Sequence, residues 1–213
     1  MAKKDVIREI REDMESSGYR DACRKAIIYE KADLQRICRR LSSEYGRDMV
    51  KDIQCRDKSA RSIYIKLRRK KLPVNFETAK KRLNDLAGIR VVCMYLDDLF
   101  SIAAAIRSTG RYRILKEKDF ISKPKSNGYR SLHIIVAVPV TGQLGKEEVQ
   151  LEIQLRTMAM DFWSSVEYGL MYKKDYCGKE QAKKKLRKYS DEIAGLDLQM
   201  MKLREEIRNE KKG

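Results

Sequence analysis

A single histidine among 213 residues excludes any site that needs several, including the metal-dependent phosphohydrolases built on His/Asp clusters. Cysteine excludes nearly as much. Cys23, Cys38, Cys55, Cys93 and Cys177 are odd in number, widely spaced and without a CxxC pair. Neither a zinc site nor a disulfide framework follows from that pattern, and the thiols read as reduced and mostly buried. No apolar run approaches the roughly 18 to 20 residues of a membrane span. The start, Met1-Ala2-Lys3-Lys4-Asp5, has no apolar signal-peptide core, so a cytoplasmic protein is expected. The common nucleotide motifs GxGxxG, GxSxG and HExxH are missing. Gly142-Gln143-Leu144-Gly145-Lys146 is not a P-loop, having the wrong glycine spacing and Glu147 where Ser or Thr belongs. Many nucleotidyltransferases carry Gly-Ser with paired aspartates; here Asp97-Asp98 has the wrong spacing and reads as a helix start. There is no internal repeat or low-complexity linker.

Positive charge is what the chain has in excess. The formal net charge is +17, with 37% charged and 42% hydrophobic residues. That balance fits a folded protein with a polyanionic partner. The partner is either nucleic acid or a substrate carrying several phosphates, and charge alone does not separate them. The length suits one substantial domain with extensions.

Along the chain, residues 3 to 15 read as a charged helix anchored by Val6 and Ile10. A long helix follows over roughly Tyr19 to Tyr45, with Ile27, Leu34, Ile37 and Leu41 at helical spacing and Gly46 as its stop. Its many basic residues read as a solvated face. Asp52 to Arg56 alternates like a strand, Ser59 caps a helix over 60–71 that stops before Pro73, and a second helix covers about Glu77 to Asp85. Ile89 to Tyr95, apolar on both faces except for Arg90, reads as a central strand. A helix from Asp97 to about Ser108 and a strand from Tyr112 to Lys118 come next. Ser126-Asn127-Gly128 then turns into the apolar segment Ile134 to Val140, which returns through 141–146 as Val149 to Arg156, the best hairpin in the sequence. Thr157 caps a helix with the apolar stripe Met158, Phe162, Val166 and Leu170. In residues 179–211, Leu186, Tyr189, Ile193, Leu196, Met200, Leu203 and Ile207 alternate spacings of three and four. That is a heptad seam, which packs either on its own domain or on another subunit. The interleaving predicts a mixed α/β sheet flanked by helices, with N- and C-terminal helical extensions.

The turn at 126–133 carries an aromatic ring, a guanidinium, a hydroxyl and the lone histidine. Period-2 alternation puts Tyr129, Ser131 and His133 on one face and Leu132, Ile134 and Val136 on the other. On the partner strand Val149, Leu151, Ile153 and Leu155 share one face, and Gln150, Glu152, Gln154 and Arg156 the other. Two carboxylates stand apart: Asp85 at a helix-to-strand junction, and Glu152 beside the face of His133. A converging Asp and Glu would suffice for nucleotide-bound magnesium, although Glu152 could instead pair with Arg130 or Arg156.

Three segments carry a resemblance, in the right order and at compatible spacing: Asp85-Leu-Ala-Gly-Ile-Arg90, Lys125-Ser-Asn-Gly-Tyr-Arg-Ser-Leu-His133 and Glu152-Ile-Gln-Leu-Arg-Thr157. Together they resemble the synthetase domain of the RelA/SpoT family of guanosine tetra- and pentaphosphate (alarmone) synthetases, over about residues 50–175. Met158-Ala-Met-Asp-Phe-Trp163 is similar to the small, single-domain (RelQ-like) group. The resemblance implies a nucleotidyltransferase-like fold and transfer of ATP's β,γ-pyrophosphate to the ribose 3′-OH of GDP or GTP, leaving AMP. It implies Mg²⁺ held by Asp85 and Glu152, with Glu152 also activating the 3′-OH. Arg56 and Arg90 would hold the donor adenine, and Lys58, Lys66 and Arg69 would meet the donor phosphates. Tyr129 would stack on the acceptor guanine, Lys125 and His133 would contact the acceptor phosphates, and Gln154 the acceptor nucleoside. No hydrolase half and no regulatory domains of the long relatives are expected. The expected divisions are an N-terminal helical extension at 1–48, the synthetase domain at 49–176 and a C-terminal helix at 177–213. A homo-oligomer, a tetramer, is the expected assembly. The competing function is a basic RNA-binding protein on a decayed synthetase fold; intact Asp85, Tyr129 and Glu152 argue against it.

Overall fold

The computed structural model describes residues 3–111, 113–142, 145–171 and 178–210. Among them, seven helices surround a five-stranded sheet of order β1-β2-β5-β4-β3. The strands are β1 (Val50–Asp57), β2 (Ala87–Cys93), β3 (Arg113–Asp119), β4 (Leu132–Gly142) and β5 (Gly145–Thr157). The β2–β5 pair is parallel and the other three are antiparallel, so the sheet is mixed. β2 is interior, as its apolar composition requires, but β5 takes the middle.

The helices are α1 (Lys3–Ser16), α2 (Tyr19–Tyr45), α3 (Ala60–Arg69), α4 (Phe76–Arg82), α5 (Leu96–Ser108), α6 (Met158–Met171) and α7 (Lys179–Glu210). Local chemistry sets several of their ends. Gly46 stops α2 with φ +63°, a conformation open to glycine, and its N–H returns to the Ser43 carbonyl. The Ser59 and Asn75 side chains accept from the backbone N–H groups of Ser62 and Thr78, capping α3 and α4. Asn75 starts α4 one residue early, and α4 ends at Arg82, short of Asp85. Asp98, fully buried in the first turn of α5, accepts from the Tyr95 N–H and takes the Arg47 guanidinium.

One face of the sheet carries the core. Ile89, Val91, Ile134, Val136, Leu151, Ile153 and Leu155 pack in one cluster with Leu34, Ile37 and Leu41 of α2 and Leu99, Ile102 and Ile106 of α5. At roughly 1.5–3 kcal/mol per fully buried large aliphatic side chain, this layer dominates the stability of the domain. The opposite face is polar. Strand register aligns Gln54, Arg90, Gln154, His133 and Lys118 in one row across all five strands. The adjacent row runs Arg56, Gly88, Glu152, Ile135 and Lys116.

Several sequence expectations change. The hairpin is longer than expected, since Thr141 pairs with Lys146 and Gly142 with Gly145. Gln143 and Leu144, within the expected loop, lie outside the described residues, as do Tyr112, Cys177 and the 176/177 division. β4 starts at Leu132, so alternation does not extend back to Tyr129. Ser131 is fully buried and donates its hydroxyl to the Leu155 carbonyl at 3.0 Å, which removes it from the polar face. Cys23, Cys38 and Cys93 are buried and Cys55 is exposed.

The largest difference concerns the two C-terminal helices. Met158, Phe162, Val166 and Leu170 of α6 are exposed, Phe162 by 63%, while Met160 and Trp163 turn inward. On α7 only Leu186 of the seam is buried; Tyr189, Leu196, Met200, Leu203 and Ile207 are 46–56% exposed. α7 docks through a polar stripe instead. The Thr157 hydroxyl donates to Asp197, Arg204 makes a bidentate pair with Asp97 at 3.0 and 2.7 Å, and the Trp163 indole donates to the Leu186 carbonyl at 2.9 Å. Among the described residues, no helix is long and apolar enough to cross a membrane.

Candidate active site

Three adjoining cavities occupy the polar side of the sheet. The first, about 240 Å³, is lined by Gln54, Cys55, Arg56, Lys58, Asp85, Gly88, Ile89, Arg90, Glu152 and Gln154. The second, about 470 Å³, adds Tyr129, Arg156 and Ser164, Ser165, Glu167 and Tyr168 of α6. The third, about 250 Å³, runs along α3 past Lys66 and Arg69. Arg56 borders all three, so they form one cleft.

Asp85 is at the junction of α4 and β2, where the chain turns to enter the sheet. Its Oδ2 accepts from Lys58 at 2.8 Å and Lys66 at 2.6 Å, while buried Oδ1 has no partner among the described residues. Burial opposes ionisation of Asp85, but the two ammonium groups overrule it and hold the carboxyl at about 2. Two lysines therefore share one carboxylate. Burial drives the pKa of Lys58 down; Asp85 opposes that shift, while Lys66 and Arg56 reinforce it. The group is short of negative charge, the condition in which a polyphosphate binds well.

Glu152 is buried on β5 and held at both oxygens. His133 Nδ1 lies 3.0 Å from Oε1, and the Gln154 amide donates to Oε2 at 2.7 Å. Burial raises the Glu152 pKa, but His133, through its hydrogen bond and its electrostatic influence, outweighs it together with the Gln154 hydrogen bond, so the net shift is downward. The Asp85 charge acts on Glu152 in the opposite sense, as expected of two carboxylates on one cavity wall.

His133 continues the chain of contacts. Its Nε2 lies 2.8 Å from the Tyr129 hydroxyl, which accepts from Arg156 Nη2 at 2.8 Å. Arginine only donates, so the Tyr129 hydroxyl is free to give its proton to Nε2, and Nδ1–H then donates to Glu152. Arg156 also donates to the side-chain Oε1 of Gln154 at 3.2 Å and pairs with Asp161 at 3.0 Å. Arg90 meets the same Asp161 oxygen at 3.1 Å and donates to Gln54 at 3.2 Å. The Nε atoms of Arg90 and Arg156 are buried without a partner among the described residues.

Lys125 holds its ammonium 4.3 Å from the centroid of the Tyr129 ring and 4.5 Å from that of Phe120. Burial lowers the Lys125 pKa, and Glu152 resists that shift.

The cleft thus gathers Arg56, Lys58, Lys66, Arg69, Asp85, Arg90, Tyr129, Glu152 and Gln154. His133 stands behind them with both ring nitrogens engaged, so direct contact with a phosphate would break one of those bonds. Glu152 pairs with neither Arg130 nor Arg156: Arg130 goes to Asp191 and Arg156 to Asp161. Sequence reasoning assigned no role to Arg156, Asp161, Gly88 or Tyr168. The alternation of β5 had already put Arg156 on the right face. Gly88 is legible only through register, which sets it between Arg56 and Glu152.

Residues 55–176 match the model of the region found in RelA / SpoT proteins. The chain is 35% identical to the GTP pyrophosphokinase YwaC of Bacillus subtilis over 171 residues, covering 78% of this chain and 81% of that one. It is 32% identical to the GTP pyrophosphokinase YjbM of the same organism over 187 residues, 86% of each. Among solved structures, small alarmone synthetase 1 of B. subtilis bound to its product pppGpp aligns with a TM-score of 0.76 at 30% identity, covering 87% of this chain and 94% of that one. Apart from Gln54, every residue that lines the cleft lies within the region matched by the family model, and the chain belongs to the RelA/SpoT family.

Proposed function

We infer that the chain is a (p)ppGpp synthetase, a GTP/GDP pyrophosphokinase that transfers the β,γ-pyrophosphate of ATP to the 3′-oxygen of GDP or GTP. The observation that carries this reading is the shared cavity wall of Asp85 and Glu152, faced by Arg56, Lys58 and Arg90. Phosphoryl-type transfer needs positioning and charge neutralisation more than covalent chemistry, and that is what this wall offers.

In the mechanism we propose, Arg56 and Arg90 flank the donor adenine, and Lys58, Lys66 and Arg69 take the donor phosphates. Phosphate binding gives the two lysines the anionic partner that Asp85 alone supplies incompletely. Tyr129 receives the acceptor guanine, Lys125 the acceptor phosphates, and Gln154 the acceptor nucleoside. The 3′-oxygen attacks the β-phosphorus of ATP, the bond from that phosphorus to the α-phosphate oxygen breaks, and AMP departs. Glu152 orients the 3′-hydroxyl and accepts its proton as the new bond forms. His133 acts through Glu152 and Tyr129 rather than on phosphate.

A magnesium ion fits the donor set. Asp85 Oδ1 is buried without a partner among the described residues, and no group of three or more His, Cys, Asp or Glu that could hold a metal is found there. Two carboxylates completed by substrate phosphates and water are a usual magnesium arrangement. Bound there, the ion would neutralise the charge that develops on the transferred group. Glu152→Gln tests the assignment: product formation should fall by about 10² to 10⁴, the range for loss of a general base, with the melting curve preserved. Full turnover would remove Glu152 from the chemistry.

We also propose a homo-oligomer, a tetramer, assembled through the exposed seam of α7. Tyr189, Leu196, Met200, Leu203 and Ile207 form an exposed apolar stripe on α7 that runs beside its polar docking contacts. We also propose a division at 1–48, 49–176 and 177–213, in which α2 of the first unit contributes Leu34, Ile37 and Leu41 to the core of the second and the third unit serves assembly.

A further inference from the structure

The turn that bears Lys125 and Tyr129 is held from behind by the C-terminal helix. Buried Ser190 of α7 donates its hydroxyl to the Gly128 carbonyl. Arg187 donates to the Lys125 carbonyl at 2.8 Å, and Arg130 donates to Asp191 at 2.8 Å. From α6, Glu167 accepts from the Asn127 amide at 3.1 Å. The approach is close: a Cβ on Gly128 would come within 2.8 Å of the Ser190 Cβ and 3.2 Å of the Arg187 Cα. With φ at +96° as well, glycine alone lets the turn rest on the helix. These contacts engage the carbonyls of 125 and 128 and the side chains of 127 and 130. The Tyr129 side chain instead lines the cleft, with the Lys125 ammonium 4.3 Å from its ring centroid. α7 is itself fixed to the domain at Asp97 and Thr157, so it is a rigid support.

We propose that α7 forms the back wall of the acceptor subsite, with Ser190, Arg187 and Asp191 as positioning residues for the turn at 125–130. This rests on the assignment of Lys125 and Tyr129 to the guanine nucleotide. A turn released from α7 would sample other conformations and pay an ordering cost on binding, and that cost would fall on the acceptor alone.

The test is a Ser190→Ala/Asp191→Ala double variant, with GDP and ATP each titrated by calorimetry in magnesium buffer. The GDP Kd is expected to rise roughly tenfold, with the ATP Kd held within about twofold, because only the population of the acceptor-competent turn changes. Amide exchange should accelerate at 125–131 and stay unchanged in the β4–β5 hairpin. An unchanged GDP Kd, or equal weakening of both nucleotides, overturns the proposal. Should the double variant fail to fold, Asp191→Asn, at the exposed edge of the contact, must give the same split at smaller size. A wild-type chain that binds GDP but makes no 3′-pyrophosphorylated product overturns the functional reading and leaves this split to be judged on its own. One that does not bind GDP overturns both.

Discussion

Asp85→Asn separates the two tasks given to that carboxylate, holding a metal ion and neutralising two lysines. The shift of the Asp85 carboxyl from 3.8 to about 2 is nearly two units. That corresponds to about 2 kcal/mol of stabilisation in the folded state, with little screening at a side chain 17% exposed. Because the folded-state value is depressed, this stabilisation is fully present above about pH 4 and is lost as pH falls through about 2. The variant should therefore melt about 4 to 8 °C lower at neutral pH, at 2 to 4 °C per kcal/mol for a domain of this size. The gap between variant and wild type should close as pH approaches 2. In chelator, however, the variant should bind ATP more tightly, because Lys58 and Lys66 no longer share their charge with Asp85. The upper limit is about 30-fold, the equivalent of 2 kcal/mol. Turnover with magnesium should be lost. Calorimetry with and without chelator, beside thermal melts across pH, measures all three. Weaker metal-free binding of ATP would mean that Asp85 does not compete with phosphate for the two lysines, and retained turnover that it does not hold the metal.

Gly88→Val should abolish ATP binding while barely moving the melting temperature. A Cβ there meets only ordinary contacts, the nearest 3.5 Å away, but the side chain grows into the cavity between Arg56 and Glu152. His133→Phe keeps a ring but removes the hydrogen bonds to Glu152 and Tyr129. With its largest lowering influence gone, the Glu152 carboxyl should titrate higher and the acid limb of kcat should move to higher pH; an unmoved limb removes His133 from the positioning of Glu152. Leu196→Glu/Leu203→Glu should give a monomer by light scattering with a near-normal melt, since both side chains are exposed. A retained oligomer would mean that subunits meet elsewhere.

The parts of the molecule legible from sequence are those governed by local rules. Gly46 ends α2 where its positive φ demands glycine, and Ser59 starts α3 through one side-chain bond. Strict alternation from Val149 to Arg156 assigns the faces of β5, and pairing with β4 keeps Glu152 on the side of His133. Ser131 escaped that rule because its hydroxyl is taken by the Leu155 carbonyl before the strand begins. Periodicity also finds apolar stripes without saying what covers them. The α7 seam is evident in the sequence, yet the side that docks is Ser190, Asp197 and Arg204, polar residues that no hydrophobic pattern marks. Nor does local sequence reveal that Gln54, Arg90, Gln154 and His133 share a row. That depends on β1 and β5 flanking β2, pairings made across long stretches of chain.

The reaction is defined by which bond of ATP breaks and which oxygen receives the fragment. Incubation of the purified chain with γ-labelled ATP, GDP and magnesium, followed by separation of the nucleotides, measures this directly. The expected products are AMP and labelled 3′-pyrophosphorylated GDP in equal amounts. ADP with labelled GTP, or hydrolysis of ATP with no label on guanosine, would contradict a pyrophosphokinase.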